Sequence, residues 1–174
     1  MIITRILTAA LAVTAAGIAV TIAPADAGRG ALHASATLID STGANVGTVR
    51  FVEDARGSLH VNAKVAGLSP GDHGFHIHEA GSCLPTFAAA LGHHNPRGQA
   101  HGAHAGDLPN LRVNLAGRGR LNATIDHATL SDGPVSVFDR DGSAVVVHAK
   151  EDDYVTDPTG NSGDRIACGV ITQN

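Results

Sequence analysis

Two histidines lie one residue apart in the segment GFHIHEAGSC, which spans residues 74–83. Side chains alternate between the two faces of a β-strand, so His76 and His78 would share one face with their backbones about 6 to 7 Å apart. Two neutral imidazoles on one face can bind the same metal ion. The alternative is a pair of polar residues on the solvent side of a half-buried strand, and the pair taken alone favours that alternative.

A second group of candidate ligands lies in HHNPRGQAHGAHAGD, residues 93–107. His101, His104 and Asp107 are spaced three residues apart, and the glycines between them allow the backbone to fold around a small ion. Two imidazoles and a carboxylate suit zinc, whose structural sites are mostly tetrahedral. A fourth ligand is then needed, and His93 is close in sequence.

A further candidate, His148, ends the β-branched run in SAVVVHAK, residues 143–150. This strand is of the same kind as the one that carries His76 and His78. Several imidazoles in one plane suit copper, which prefers tetragonal nitrogen sites and is redox active. The candidate ligands therefore allow both a zinc site and a copper site.

The elements that must position these side chains are predicted to be short β-strands. From Leu32 onward apolar residues recur with a period of two, and no segment shows a sustained helical period. The predicted strands are LHASATLID, VGTVRFVE, SLHVNAKVAGL, residues 74–79, LRVNLAG, RLNATID, GPVSVFD, SAVVVHAK and RIACGVI. This spacing predicts an all-β sandwich or barrel. Two long connections, 80–110 and 151–164, interrupt it, and the ligands in the first favour a functional loop.

The N-terminal segment 1–27 has the pattern of a secretory signal peptide. Arg5 precedes a predominantly apolar stretch, residues 6–22, and Ala25-x-Ala27 matches a cleavage site. The apolar stretch is slightly shorter than the roughly 20 residues of a membrane-spanning helix, and an uncleaved anchor is the alternative. We predict an exported protein, periplasmic, attached to the cell envelope or secreted, with one domain at 28–174 and no stable membrane partner after cleavage.

Charge and cysteine content restrict the partners. The chain has 12 Lys and Arg against 16 Asp and Glu, a formal net charge of −4, which argues against nucleic acid as a partner.

Cys83 and Cys168 form an even number of cysteines in a chain predicted to be exported, so we predict a disulfide between them.

Five motifs, taken together and in order, resemble the copper/zinc superoxide dismutase family. They are GFHIHE, GHHNP, HGAHAGDLPN, VVVHAKEDD and GNSGDRIACGVI, and they extend over most of residues 28–174. The resemblance implies an immunoglobulin-like Greek-key β-sandwich or flattened barrel with two long functional loops. It leaves a homodimer open.

The resemblance also implies roles for individual residues. It assigns copper to His76, His78, His93 and His148, and zinc to His93, His101, His104 and Asp107. His93 would bridge the two metals, because an imidazole has two ring nitrogens. It implies that Asp152 accepts hydrogen bonds from His76 and His101, and that Arg165 lies beside copper and attracts a small anion.

The activity implied is the conversion of superoxide to oxygen and hydrogen peroxide by copper redox cycling. His93 would carry one proton, and zinc would support that ring. Two other classes of protein are the alternatives: a non-catalytic metal-binding module on the same sandwich, and a structural sandwich. Taken alone, Arg165 would be a surface residue paired with Asp164.

The remaining histidines and the loop lengths carry less specific expectations. We expect solvent-facing or packing roles for His33, His60 and His127. The resemblance implies that His73 braces the copper strand and that His94 forms the outer wall of the site. The zinc loop is short, with two residues between His101 and His104.

Overall fold

A computed structural model describes residues 30–174 of the chain, so the predicted signal segment 1–27 lies outside the described residues. Ten strands make up the fold: β1 Leu32–Asp40, β2 Asn45–Glu53, β3 Leu59–Ala66, β4 Gly71–His73, β5 Phe75–His78, β6 Leu111–Val113, β7 Arg118–Ile125, β8 Ala144–His148, β9 Arg165–Val170 and β10 Thr172–Gln173. The only helical element from residue 30 onward is a 3₁₀ turn at Phe87–Ala90. No helix in this range is long and apolar enough to cross a membrane.

The strands form one antiparallel sheet that curls into a flattened, nearly closed barrel. Their order is β4-β6-β7-β3-β2-β1-β9-β8-β5, and β10 pairs with β1. Several connections, including those from β3 to β4, from β5 to β6 and from β7 to β8, join strands that are not neighbours in the sheet, so strands distant in sequence pair with each other. The prediction of an all-β fold of sandwich or barrel type is confirmed.

The period-two pattern predicts which face of each strand is buried. In β3, Leu59, Val61, Ala63 and Val65 are buried, whereas the residues between them are exposed or partly exposed. Strand β8 is buried on both faces, as its continuous run of β-branched residues indicates. Because β8 lies between β5 and β9, its side chains are held from both sides.

One predicted strand is absent. Residues 133–139 form turns with a single bridge between Thr129 and Ser136. Val135 and Val137 are buried as the alternation predicts, but they point inward from a loop that makes no strand ladder. Glu53 on β2 holds the chain just before this segment, because its carboxylate accepts hydrogen bonds from the backbone N–H of Ser131 at 2.7 Å and from the hydroxyl of Ser131 at 2.6 Å.

A long loop follows each of the two strands that carry candidate histidine ligands, β5 and β8. The first, 79–110, joins β5 to β6, and the second, 149–164, joins β8 to β9. The predicted disulfide is present between Cys83 in the first loop and Cys168 in β9. Its cysteines pack with Ala90, Ala144 and Val146, so the first loop is tied to the barrel wall close to its start.

Candidate metal centre

The first loop runs alongside strand β5 and forms backbone hydrogen bonds with its free edge. The backbone N–H of Ile77 donates to the carbonyl of Gly106 at 2.8 Å, and the N–H of His94 donates to the carbonyl of Ile77 at 2.9 Å. A Cβ at position 106 would lie 2.1 Å from the oxygen of Ile77, so this close approach requires glycine. The pairing sets His93 beside His78 and Asp107 beside His76.

Four buried histidines converge between β5, β8 and this loop. Their ring nitrogens come within 4.8 Å of one another, which is a spacing that could hold a metal ion. We call this set the four-histidine group: His76, His78, His93 and His148. The side-chain alternation of β5 brings His76 and His78 to one face, as their spacing predicts, and β8 supplies His148 from the neighbouring strand.

Hydrogen bonds to backbone carbonyls decide which nitrogen of His78 and His148 is free. Nδ1 of His78 lies 2.9 Å from the carbonyl oxygen of Leu91, and Nδ1 of His148 lies 3.1 Å from that of Gly163. A carbonyl only accepts, so in the neutral ring Nδ1 carries the proton and Nε2 has a lone pair. The two Nε2 atoms lie 3.3 Å apart, so two lone pairs are directed at the same space.

His76 and His93 present buried nitrogens to the same space. Nε2 of His76 lies 2.7 Å from a carboxylate oxygen of Asp152 and donates to it, which leaves Nδ1 without a hydrogen-bond partner. Nε2 of His93 is buried without a partner as well. Buried polar atoms without partners cost free energy, and a shared metal ion would satisfy these atoms.

A second group forms around Asp107 and contains the other nitrogen of His93. Oδ1 of Asp107 lies 2.9 Å from Nδ1 of His93, 3.3 Å from Nδ1 of His104 and 3.5 Å from Nδ1 of His101. We call this set the Asp107 group: His93, His101, His104 and Asp107. His93 thus belongs to both groups, with Nδ1 facing one and Nε2 facing the other.

Asp152 links the two groups by hydrogen bonds to one histidine in each. One carboxylate oxygen accepts a hydrogen bond from Nε2 of His76 at 2.7 Å, and the other accepts one from Nε2 of His101 at 2.8 Å. Gly160 covers this carboxylate so closely that a Cβ there would lie 1.7 Å from it. The carboxylate therefore sets the tautomer of one histidine in each group.

Burial keeps the imidazoles of the four-histidine group neutral. Burial, together with the neighbouring rings of His93 and His148, lowers the pKa of His76 from 6.5 to about 2. Burial lowers the pKa of His148 to about 4 and that of His78 well below its ordinary value. The pKa of His93 is also lowered by burial, although Asp107 opposes this. Neutral imidazole is the form that binds a metal ion.

Asp107 keeps its negative charge in spite of its position. Burial raises the pKa of its carboxyl, but the hydrogen bond from His93 and the charge of His104 outweigh burial and hold the pKa well below its usual range. The Asp107 group therefore offers three imidazoles and one carboxylate. This donor set is typical of zinc sites.

Arg165 lies beside the four-histidine group because β9 pairs with β8. Its register partner on β8 is His148. The guanidinium donates to the carbonyl of Phe87 at 2.6 Å and to the carbonyl of Leu91, so its contacts are with the first loop. Burial lowers the pKa of Arg165 from its ordinary value of 12.5, and its charge contributes to the lowered pKa of His78 and His148.

The alternative pairing of Arg165 with Asp164 does not occur. All ion pairs found from residue 30 onward are between a histidine and a carboxylate.

Two positions around the site carry roles that sequence reasoning missed. The side chain of Asn110 donates to the backbone carbonyl of Asp152 at 2.9 Å and accepts from its N–H at 2.8 Å. The carbonyl of Leu91 accepts from both His78 and Arg165. Asn110 is the last residue of the motif HGAHAGDLPN, so its position in the sequence could have indicated a role at the site. The role of a backbone carbonyl cannot be predicted from residue type.

The remaining histidines lie outside both groups. His127, for which the sequence predicts a solvent-facing or packing role, lies with Nε2 3.3 Å from the carbonyl oxygen of Asp107. Nδ1 of His73 lies 2.7 Å from the carbonyl of His148, which agrees with bracing of that strand end. His94 lies within the first loop, is buried and belongs to neither group. His60 contacts Thr124 and Asp54 at the surface.

Comparison with known proteins gives one consistent family. The sequence profile of copper/zinc superoxide dismutase matches residues 45–171. The chain is 44% identical to superoxide dismutase [Cu-Zn] 2 of Aquifex aeolicus over 80% of this chain and 86% of that protein. It is 39% identical to superoxide dismutase [Cu-Zn] of Deinococcus radiodurans over 84% of this chain and 87% of that one.

A solved structure shows the same fold. The crystal structure of a superoxide dismutase-like protein from Bacillus subtilis is similar with a TM-score of 0.74 and 38% sequence identity. The similarity covers 78% of this chain and 96% of that one.

Proposed function

The chain belongs to the copper/zinc superoxide dismutase family, whose enzymes are oxidoreductases that act on superoxide, and on this premise we propose how its own residues carry out that reaction. Copper is held by the four-histidine group and zinc by the Asp107 group. The observation that carries the proposal is His93, a single buried ring with one nitrogen facing each group.

The donor atoms suit the two metals. The four-histidine group offers only imidazole nitrogens, two of them without partners and two facing each other at 3.3 Å. Such all-nitrogen sites favour copper. The Asp107 group adds a carboxylate, and three imidazoles with a carboxylate favour zinc.

Copper bound there would supply two accessible oxidation states. One superoxide can then lose an electron to give oxygen, while another gains an electron and two protons to give hydrogen peroxide. Zinc would supply a fixed positive charge. His93 holds one of these protons at Nε2, the nitrogen that faces the four-histidine group. Asp107 contacts Nδ1 of the same ring at 2.9 Å, so the ring keeps its orientation when Nε2 gains or loses the proton.

Arg165 attracts and orients the substrate. Superoxide is an anion, and the net charge of −4 on the chain repels it. A local positive field is therefore needed, because more distant surface charges are screened beyond a Debye length of about 8 Å at physiological ionic strength. The carbonyls of Phe87 and Leu91 fix the guanidinium beside His148, so its charge lies next to the site of reaction.

The test is metal analysis of the purified protein together with its superoxide-dependent activity. We expect copper and zinc in equal amounts and activity that depends on copper. His148→Ala should abolish turnover and lower copper content while zinc stays bound, because it removes one of four nitrogens from one group only. His33→Ala, at an exposed position on β1, is the matched control. Normal activity with full copper occupancy in His148→Ala would contradict the assignment, and metal binding without activity in the parent protein would indicate a non-catalytic module.

We propose that the enzyme acts outside the cytoplasm. The signal pattern of residues 1–27 supports export, and the disulfide between Cys83 and Cys168 supports an oxidising compartment. The intact mass of protein recovered from extracytoplasmic fractions should correspond to a chain that begins at Gly28. Recovery from the cytoplasm of a chain that retains residues 1–27 would contradict export.

A further inference from the structure

Five basic side chains lie together on the outer face of strands β2, β3, β6 and β7, away from the strands that carry histidine ligands. All five are exposed, and they account for five of the 12 Lys and Arg of the chain. We call this set the basic face: Arg50, Lys64, Arg112, Arg118 and Arg120. Four of them line one shallow groove, which includes Asn114 at the turn between β6 and β7.

Strand register places three of these charges in a row. Lys64 on β3 is directly opposite Arg120 on β7. Val113 on β6 is opposite Gly119 on β7, and Arg112 and Arg120, each next to one member of this pair, line the same groove. Neighbouring strands are about 4.8 Å apart. The row therefore presents three positive charges across three strands, and Arg118 lies two residues from Arg120 on the same face.

This arrangement costs stability in the isolated protein. Like charges directly opposite each other on neighbouring strands are destabilising, and a carboxylate between them would relieve the repulsion. Asp72 on β4 is opposite Arg112 at the edge of the face. Neither it nor any other carboxylate of residues 30–174 lies within the 4.0 Å ion-pair distance of these basic nitrogens. The face is positively charged on a chain whose net charge is −4.

The polar residues beside the row indicate the chemistry of a ligand. Asn62 on β3 is opposite Asn122 on β7, and Arg50 on β2 is opposite Asn62. Amide side chains donate to and accept from hydroxyl groups. The exposed residues of these strands include no aromatic side chain, whereas single-stranded nucleic acids are bound largely by stacking on aromatic rings. We propose that the basic face binds an acidic polysaccharide, a linear polymer whose sulfate, phosphate or carboxylate groups lie along the row while its hydroxyl groups contact Asn62 and Asn122.

The test uses the full metal-loaded protein and heparin, a linear sulfated polysaccharide, as the immobilised probe. The parent protein should be retained at low ionic strength and eluted by salt. We expect at least a roughly tenfold loss of heparin affinity in the triple variant Lys64→Gln, Arg112→Gln, Arg120→Gln, because each lost cation removes an electrostatic contact. The matched control is Arg56→Gln, Arg97→Gln, Arg140→Gln, which changes the net charge equally at exposed positions outside the face and should bind as the parent does.

Two further measurements keep the proposal falsifiable. The triple variant should unfold at a temperature equal to or above that of the parent, since repulsion within the row is removed, and its dismutase activity should be unchanged. The single variant Arg120→Glu, in the middle of the row, should weaken binding more than Arg120→Gln.

Equal retention of the two triple variants on heparin would overturn the proposal. So would binding to vesicles that contain phosphatidylglycerol without binding to heparin, a result that would point to a lipid surface reached by Leu115, which is 94% exposed in the neighbouring turn. Binding to single-stranded DNA as tight as that to heparin would also overturn it. Heparin binding needs no turnover, so failure of this inference and failure of the proposed dismutase activity are distinguishable.

Discussion

His78 and Arg165 donate hydrogen bonds to one acceptor, the carbonyl oxygen of Leu91. The ring that presents Nε2 to the other members of the four-histidine group and the guanidinium proposed to attract superoxide are therefore oriented by the same backbone group. Leu91 has φ of 62° and ψ of −146°, a region that residues other than glycine rarely occupy. This backbone conformation turns the carbonyl toward both donors, so the geometry of the site depends on the loop that carries it.

Arg165→Glu should depress the second-order rate with superoxide far more than Arg165→Lys. The first reverses the local charge, whereas the second keeps the charge and loses only the forked donors. We expect a loss of at least about tenfold for the glutamate variant, narrowing as salt is added, because ions screen the attraction. Pulse radiolysis over a range of ionic strength measures this. Wild-type rates in Arg165→Glu at low salt, with both metals bound, would show that Arg165 acts only as a structural partner of the loop.

Asn110→Ala should weaken metal binding without removing any ligand. The variant loses both hydrogen bonds that hold the backbone of Asp152, and Asp152 orients one histidine in each group. Loss of such an orienting partner typically lowers metal affinity by about 10- to 100-fold. Competition with chelators should show weaker binding of both copper and zinc. Asn122→Ala, at an exposed position on β7, is the control, and equal affinities for the two variants would contradict the role of Asn110.

Cys83→Ser should destabilise the protein by about 2 to 5 kcal/mol, the usual cost of losing a native disulfide in a small exported domain. The bond ties the first loop to β9, and the same loop supplies the carbonyls that hold Arg165. Thermal unfolding with and without reductant tests this, because reduced parent protein should unfold close to the temperature of the variant. Free thiols in parent protein isolated without reductant would contradict the pairing.

Metal-free protein should lose stability as the pH falls below about 6.5. The pKa of His148 is lowered to about 4 and that of His76 to about 2, from 6.5 in each case, so the unfolded chain binds protons that the folded state does not. Their contribution is present in full above pH 6.5 and is lost progressively as the pH falls toward these folded-state values. The loss is about 1.4 kcal/mol per pH unit for each histidine. Urea unfolding at a series of pH values should show this slope, and a stability independent of pH between 6.5 and 4 would contradict it.

Local periodicity was sufficient to predict much of this protein. The spacing of His76 and His78 implied a shared strand face because alternation depends only on neighbouring backbone units. The fold class followed from the same period. The members of the two groups, together with Asp152 and Arg165, were instead implied by the resemblance of five ordered motifs to a known family. The disulfide followed from two cysteines in a chain predicted to be exported.

The segment 133–139 shows where local pattern fails. Its valines alternate and are buried, yet it forms no strand. Burial depends on the direction of a side chain, whereas a strand requires a partner backbone, and the backbone of this segment makes a single bridge, between Ser136 and Thr129.

Only the tertiary structure decided which nitrogen of each histidine is free, that Asn110 clamps Asp152, and that Lys64, Arg120 and Arg112 form one row. Each of these depends on strand register or on a backbone group far away in sequence, such as the carbonyl of Leu91 behind His78. Long-range register is set by packing and hydrogen bonding of the whole barrel, so it cannot be obtained from the order of residues within one segment.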